Sequence, residues 1–209
     1  MIPAADILAW RTEHPWVSNA QVEQDLIICR AVVELFTQPL LRKHLAFRGG
    51  TVLHKLFLLP ATRYSEDIDL VQMKAGAIGP VMDAVHAALD AWLGTPRRDQ
   101  KEGTVTLTYH VSSEIAPIVQ LRRKGRDLYD MWLGLTQGRA NSARIVDVFQ
   151  KYLAAEENSI SRIEFERNLA QKMEHPGFLS DLPPLLRPGI PYDIEEARSL
   201  VEDTVVALL

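Results

Sequence analysis

Residues Phe47 to Val71 read FRGGTVLHKLFLLPATRYSEDIDLV, and this stretch decides the reading of the chain. Asp67 and Asp69 flank Ile68, so on a strand both carboxylates project from the same face. Two adjacent anions on one face repel each other unless a cation lies between them. Hard carboxylate oxygens suit Mg²⁺ or Mn²⁺, which makes Asp67 and Asp69 the candidate metal ligands. Upstream, Gly49-Gly50-Thr51 opens a helix, lets a backbone approach a phosphate closely and aims amide groups at it. A lone Gly-Gly is more often a plain turn and a lone Asp-x-Asp a solvated edge. Their order and separation point to a nucleotide site.

The rest of the chain places these motifs on elements. Ser18-Asn19-Ala20-Gln21 has capping-box spacing, and Leu26, Cys29, Val32, Val33 and Phe36 recur at helical spacing, which predicts an amphipathic helix over 19–37. A first strand is expected near His44–Phe47. A short helix follows over Thr51–Leu58, with Val52, Leu53, Leu56 and Phe57 toward the core. The second strand, Asp67–Gln72, should turn Ile68 and Leu70 inward. A helix spans Pro80–Leu93, residues 94–102 read as a polar loop, and Gly103–Val111 alternates like a strand. Helices are expected near 126–136, 141–155, 158–173 and 193–208. The class is therefore α+β.

At this point the chain resembles a known family, the nucleotidyltransferase toxins of the AbiEii/AbiGii type, which include the MenT-like mycobacterial toxins. Gly49, Gly50, Thr51, Arg63, Ser65, Asp67 and Asp69 fall on that family's first motif. Downstream, Arg122-Arg123-Lys124-Gly125-Arg126-Asp127-Leu128-Tyr129-Asp130 is similar to its Lys-x-Arg-Asp-x-Tyr-Asp signature. The resemblance covers roughly residues 18 to 135. It departs from the family in one place: a strand-rich segment and a lysine-bearing helix normally precede the second signature. Here Ser113–Val119 runs almost directly into Gln120-Leu121-Arg122.

The resemblance implies a nucleotidyltransferase-like small mixed β-sheet with flanking helices and a helical C-terminal region. It divides the chain into an α/β lobe at 1–118 and a helical lobe at 119–209, packed as one compact unit. It also implies a toxin of a toxin–antitoxin system that uses Mg²⁺ to transfer nucleotides from an NTP to the 3′ acceptor end of tRNA. Such transfer blocks aminoacylation and translation, and a separate antitoxin protein is the expected partner. The catalytic set is then Asp67, Asp69, Asp127 and Lys124, and the nucleotide contacts are Gly49, Gly50, Thr51, Lys55, Arg63, Ser65 and Arg126. Asp127 is favoured over Asp130, three residues away on the same helix face, and Glu114 is a further candidate carboxylate. Two alternatives stay open: a nucleotide-binding protein that transfers nothing, and a transferase acting on protein hydroxyls.

Composition bounds the rest. The chain has 209 residues, 47% of them apolar, enough for a core without disulfides. Its single cysteine, Cys29, lies in an apolar run and reads as a buried small hydrophobe in a reducing cytoplasm. No stretch approaches the ~20 apolar residues of a membrane span, and the N-terminus lacks the pattern of a secretion signal, so a cytoplasmic protein is expected. Net charge is −4, against a general nucleic-acid binder. Contacts to RNA would fall to local clusters, Arg122 to Arg126 and Arg97, Arg98 and Lys101. No spacing among His44, His54 and His110 suggests zinc, and there is no P-loop motif.

Overall fold

In the computed structural model, which describes residues 2–101, 103–110, 125–155 and 157–209, the chain divides into two units. Met1–Val52 and Ser65–Val119 form the first, and Leu53–Tyr64 and Gln120–Leu209 form the second. Lys124, Arg122, Arg123 and Glu114 lie outside the described residues.

The first unit begins with helices α1 (Ala4–Glu13) and α2 (Asn19–Thr37). Both halves of the predicted capping box form: Ser18 Oγ accepts from the Gln21 amide at 3.2 Å, and Gln21 Oε1 accepts from the Ser18 amide at 3.1 Å. The extent of α2 matches the sequence reading, but its phase does not. Val22, Ile28, Ala31 and Leu35 are the buried apolar positions, Leu26 and Cys29 are half-buried, and Val33 is exposed. The helix is apolar on too many sides for periodicity to choose the inner face. Its first turns also bury a charged residue, Asp25, which accepts from Trp10 Nε1 at 2.9 Å.

Pro39 does not simply stop α2. It occupies the first turn of a further helix, α3 (Pro39–His44), where a missing N–H costs nothing. Strand β1 (Leu45–Arg48), helix α4 (Gly49–Val52), strand β2 (Asp69–Gln72) and helix α5 (Gly79–Leu93) complete the centre of this unit. Ala31, Leu35, Leu41, Leu45, Val81, Val85, Ala88 and Leu89 make its core, and Ile68 and Leu70 pack against it as expected. Strands β1 and β2 pair antiparallel with Phe47 opposite Leu70 and Arg48 opposite Asp69.

Residues 97–101, read as part of a polar loop, form strand β3 (Arg97–Lys101), paired antiparallel with β4 (Thr104–Thr108). All five β3 side chains are exposed, so no apolar alternation marks the strand; its backbone pairing to β4 does. Gly103 takes the positive φ of 68° at the turn between them. The expected single mixed sheet is therefore corrected. Among the described residues there are two separate two-stranded antiparallel sheets and no parallel pair. The α+β class holds.

The second unit contains α6 (Gly125–Thr136), α7 (Ser142–Ala155), α8 (Arg162–Met173), the short α9 (Pro176–Leu179) and α10 (Ile194–Thr204). Leu128, Val146, Leu169, Met173, Phe178, Val201 and Val206 are among its core residues. A second cluster gathers Leu58, Tyr129, Leu133 and Leu182. The 53–64 segment is held by backbone bonds from the Tyr64 amide to Leu185 O and from the Arg187 amide to Thr62 O, both 2.8 Å.

Gly125 is the closest fit in this unit, since a Cβ there would lie 2.1 Å from the Phe178 carbonyl oxygen. Backbone cannot yield as a flexible side chain does. Gly125→Ala should lower stability by about 2–3 kcal/mol in chemical denaturation, as overpacked sites do. A loss below about 0.5 kcal/mol, typical of open surface positions, would contradict the close packing.

Candidate functional site

In the first unit the pairing of β1 and β2 delivers Gly49 and Asp69 to each other. Arg48 is the last residue of β1 and lies opposite Asp69, so the next residue turns directly over that carboxylate. Gly49 has φ of 78°, and a Cβ built on it would sit 2.4 Å from Asp69 Oδ2. Only glycine meets both conditions. Because Ile68 and Leu70 face the core, Asp69 projects away from it.

Two hydroxyls hold the backbone just before β2. Thr51 Oγ1 donates to the Asp67 carbonyl oxygen and lies 2.7 Å from Ser65 Oγ. Thr51 has a single hydroxyl proton, so Ser65 is the donor in the second bond. Thr51 is 1% exposed and Ser65 4%. Both hydroxyls, expected on nucleotide, are engaged within the protein: Thr51 with the Asp67 carbonyl oxygen and Ser65 with Thr51. Gln24, which no motif singled out, donates from Nε2 to the Glu66 carbonyl oxygen at 3.0 Å. Three side chains thus pin the 65–67 backbone, and Asp67 precedes the strand rather than opening it.

The donor set suits a hard divalent cation. Mg²⁺ is commonly held by one or two carboxylates with water and substrate phosphates filling the remaining positions, and Asp67 and Asp69 supply two. Among the described residues no group of three His, Cys, Asp or Glu side chains is placed to hold a metal.

The second unit receives the remaining candidates. The helix expected over 51–58 is α4 followed by a π-helical turn, Leu53–Phe57. The wider turn rotates the side chains, so that His54 and Leu58 are buried while Leu56 and Phe57, expected inside, are 60% and 56% exposed. Lys55 is half-buried on the same turn. Arg63 is 2% exposed, and its guanidinium forks onto Asp130, Nε to Oδ1 at 2.7 Å and Nη2 to Oδ2. His54 Nε2 also meets Asp130 Oδ1, at 2.9 Å. A carboxylate accepts, so Nε2 carries the proton, and the buried Nδ1 has no hydrogen-bond partner among the described residues.

Arg126 is committed in the same way, through its Nε at 3.2 Å and Nη2 at 3.1 Å to the buried Asp181, whose Oδ2 also takes the Arg126 amide. The two arginines expected on nucleotide phosphates therefore each hold a carboxylate of their own unit. Asp127 and Asp130, expected on one face, divide across the edge of α6. Asp127 is exposed and Asp130 nearly buried.

These contacts set the protonation of the buried pair. Burial pushes the His54 imidazole below its ordinary 6.5, more than its bond to Asp130 raises it, and the charge of Arg63 adds to the lowering. Burial alone would raise the Asp130 carboxyl, but hydrogen bonds from Arg63 and His54 outweigh it and hold it below its ordinary value.

Two consequences can be measured. Gly49→Ala should cost about 2–3 kcal/mol through positive φ and the clash with Asp69. The cost should shrink when combined with Asp69→Ala, whereas equal costs in both backgrounds would show that the two residues do not touch. Secondly, as pH falls below 6.5 the unfolded His54 binds a proton that the folded one refuses, so stability declines by up to about 1.4 kcal/mol per pH unit. The contribution of Asp130 is present above its ordinary value and is lost only at lower pH, as its folded pKa is crossed. His54→Gln should flatten the decline just below pH 6.5; an unchanged slope would place the titration elsewhere.

Comparison with known proteins follows the same geometry. No curated protein and no solved structure matches the chain. The family model described as AbiEii, nucleotidyl transferase AbiEii toxin of a type IV toxin–antitoxin system, matches residues 30–120. That range contains the Gly49 turn, Thr51, Ser65 and both carboxylates, and it ends before α6. Residues 30–120 of this chain are thus similar to a nucleotidyl transferase toxin domain of the AbiEii type.

Proposed function

We propose that this chain is the toxin of a toxin–antitoxin pair and a nucleotidyltransferase that adds nucleotides from an NTP to the 3′ acceptor end of tRNA. The family implies a nucleotidyltransferase toxin of a type IV system and hence a nucleotide substrate and an antitoxin partner. The observation that carries the reading to chemistry is the close approach of Gly49 to Asp69, beside an Asp67 peptide fixed by Thr51, Ser65 and Gln24. A backbone held this firmly at Asp67 needs little reorganisation when a substrate arrives.

Asp67 and Asp69 are the residues that would hold Mg²⁺ or Mn²⁺. A bound ion there would screen phosphate charge and lower the pKa of an attacking hydroxyl. The turn at Gly49 and Gly50 would offer its backbone amides to the triphosphate, a part the buried Thr51 and Ser65 hydroxyls do not share. Lys55 remains a phosphate contact in this reading, and Lys124 and Asp127 keep the catalytic roles the family resemblance assigns. The 3′ hydroxyl of the acceptor would attack the α-phosphate, with pyrophosphate leaving. For the RNA backbone, β3 presents Arg97, Arg98 and Lys101, all exposed.

A second reading has its own support. Arg63 and Arg126 are both engaged by carboxylates, which leaves fewer cations for phosphates and favours a protein that binds nucleotide without transferring it.

Incubation with each labelled NTP, Mg²⁺ and total tRNA separates the two. The expected outcome is label on tRNA, lost in the Asp67→Ala/Asp69→Ala protein. Nucleotide binding without label on tRNA favours the second reading, and label on protein instead would make a protein hydroxyl the acceptor. No helix among the described residues is long and apolar enough to cross a membrane.

A further inference from the structure

The outer face of the β1–β2 sheet carries one charge of each sign. Leu45 of β1 belongs to the core cluster, Leu70 of β2 packs against it, and the Phe47 ring centroid lies 6.2 Å from that of Phe36. Alternation turns Ala46 and Arg48, and opposite them Val71 and Asp69, to the other face. Arg48 is the only cation of these four and Asp69 the only anion. Directly opposed residues of an antiparallel pair share a face, with Cβ atoms roughly 4.5–5.5 Å apart. An arginine is several bonds longer than an aspartate, so its guanidinium can reach past the carboxylate toward a ligand held there.

Arg48 is exposed, and among the described residues its guanidinium enters no hydrogen bond or ion pair. That sets it apart from Arg63 and Arg126, the two arginines expected on phosphate, which are engaged by Asp130 and Asp181. A cation beside a metal site repels the bare ion. It becomes favourable when the ligand brings more negative charge than one divalent ion cancels, as a triphosphate does. A guanidinium also presents a planar fork of donors that matches phosphate oxygens in pairs.

We infer that Arg48 binds the triphosphate of the incoming nucleotide, on the same face of the sheet as the Asp69 carboxylate and one residue before the glycine turn. Asp69 takes the metal and Arg48 takes phosphate oxygens, so the pair holds a metal–triphosphate complex better than either component alone. The inference rests on the reading of Asp67 and Asp69 as metal ligands of a nucleotide site. It adds to that site a phosphate contact that the sequence motifs did not single out.

The test uses the full chain and inorganic tripolyphosphate with Mg²⁺ as the probe, which removes any dependence on the base. In isothermal titration calorimetry, Arg48→Met should weaken tripolyphosphate binding on the order of tenfold to a hundredfold, the loss of about one hydrogen bond to a charged group. Arg48→Lys keeps the charge without the fork and should fall between. Affinity for Mn²⁺ alone, followed by electron paramagnetic resonance, should hold or tighten in Arg48→Met, because a like charge has left the site. Lys43→Met, which removes an exposed cation of α3 in the same unit, should bind tripolyphosphate as the wild type does.

Wild-type tripolyphosphate affinity in Arg48→Met would overturn the inference and leave the metal site standing. A fall in affinity for Mn²⁺ alone would also overturn it, since the phosphate loss would then come through a displaced Asp69. So would failure of Arg48→Met to fold, because an exposed arginine needed for folding is a prop of the sheet. If the wild-type protein binds Mn²⁺ but no tripolyphosphate, the phosphate contact falls while the metal reading stays. If it binds neither, the nucleotide-site reading fails and takes the inference with it.

Discussion

The pairing of Arg48 with Asp69 at the end of a two-stranded sheet is the constraint on which the rest of the site depends. It brings the Asp69 carboxylate to within van der Waals distance of the following backbone turn, and from that one approach several requirements follow. The residue after Arg48 has no room for a Cβ and has positive φ, so it is glycine. The strand keeps Ile68 and Leu70 toward the core, or the carboxylate would turn inward. The chain before the strand is held still, because a shift of one residue in a ladder reverses every side chain. Thr51, Ser65 and Gln24 supply that restraint through bonds to the backbone of Glu66 and Asp67, or to each other.

What could be read in advance divides along the range of the interaction involved. The capping box at Ser18, the extent of α2, the helix at α5, the alternation of β4 and the inward pair Ile68 and Leu70 are all decided by residues near one another in the chain. Each was legible. The inner face of α2 was not, because Asp25 is buried by its bond to Trp10, fifteen positions away. Nor was β3, whose side chains are all exposed and whose only cause is backbone pairing with β4. The π-helical turn at Leu53–Phe57 defeated a reading based on the ordinary helical period and moved His54 to the buried side.

The site residues divide by the same principle. The glycine turn and the strand position of Asp69 rest on local signals and were legible, whereas Asp67, read on the same strand, lies before it. Whether a polar side chain faces ligand or protein is decided by partners far along the chain. Arg63 and Asp130 are 67 positions apart, and so are Thr62 and Tyr129. Arg126 and Asp181 are 55 apart. Arg63, Arg126, Tyr129 and Asp130 sit in the stretches that resemble family motifs, and each motif therefore mixes groups available for chemistry with groups that build the frame. No reading by spacing alone could sort one from the other.

That sorting bears on how an acidic chain would meet RNA. Net charge is −4, so long-range attraction to a phosphate backbone cannot come from the molecule as a whole. Arg63 and Arg126 are each neutralised by a carboxylate at hydrogen-bond distance, and a charge paired in this way contributes little field beyond its partner. The exposed cations of β3 differ in kind. Arg97, Arg98 and Lys101 extend into solvent from a two-stranded sheet with threonines on the facing strand, and only Asp99 among the five residues of β3 opposes them. Arg97 and Lys101 share one face and Arg98 the other, which spreads charge around the hairpin instead of stacking it in a single stripe. Such an arrangement favours contact with phosphates without reading sequence, so discrimination among acceptors would have to come from shape and from the end of the strand itself.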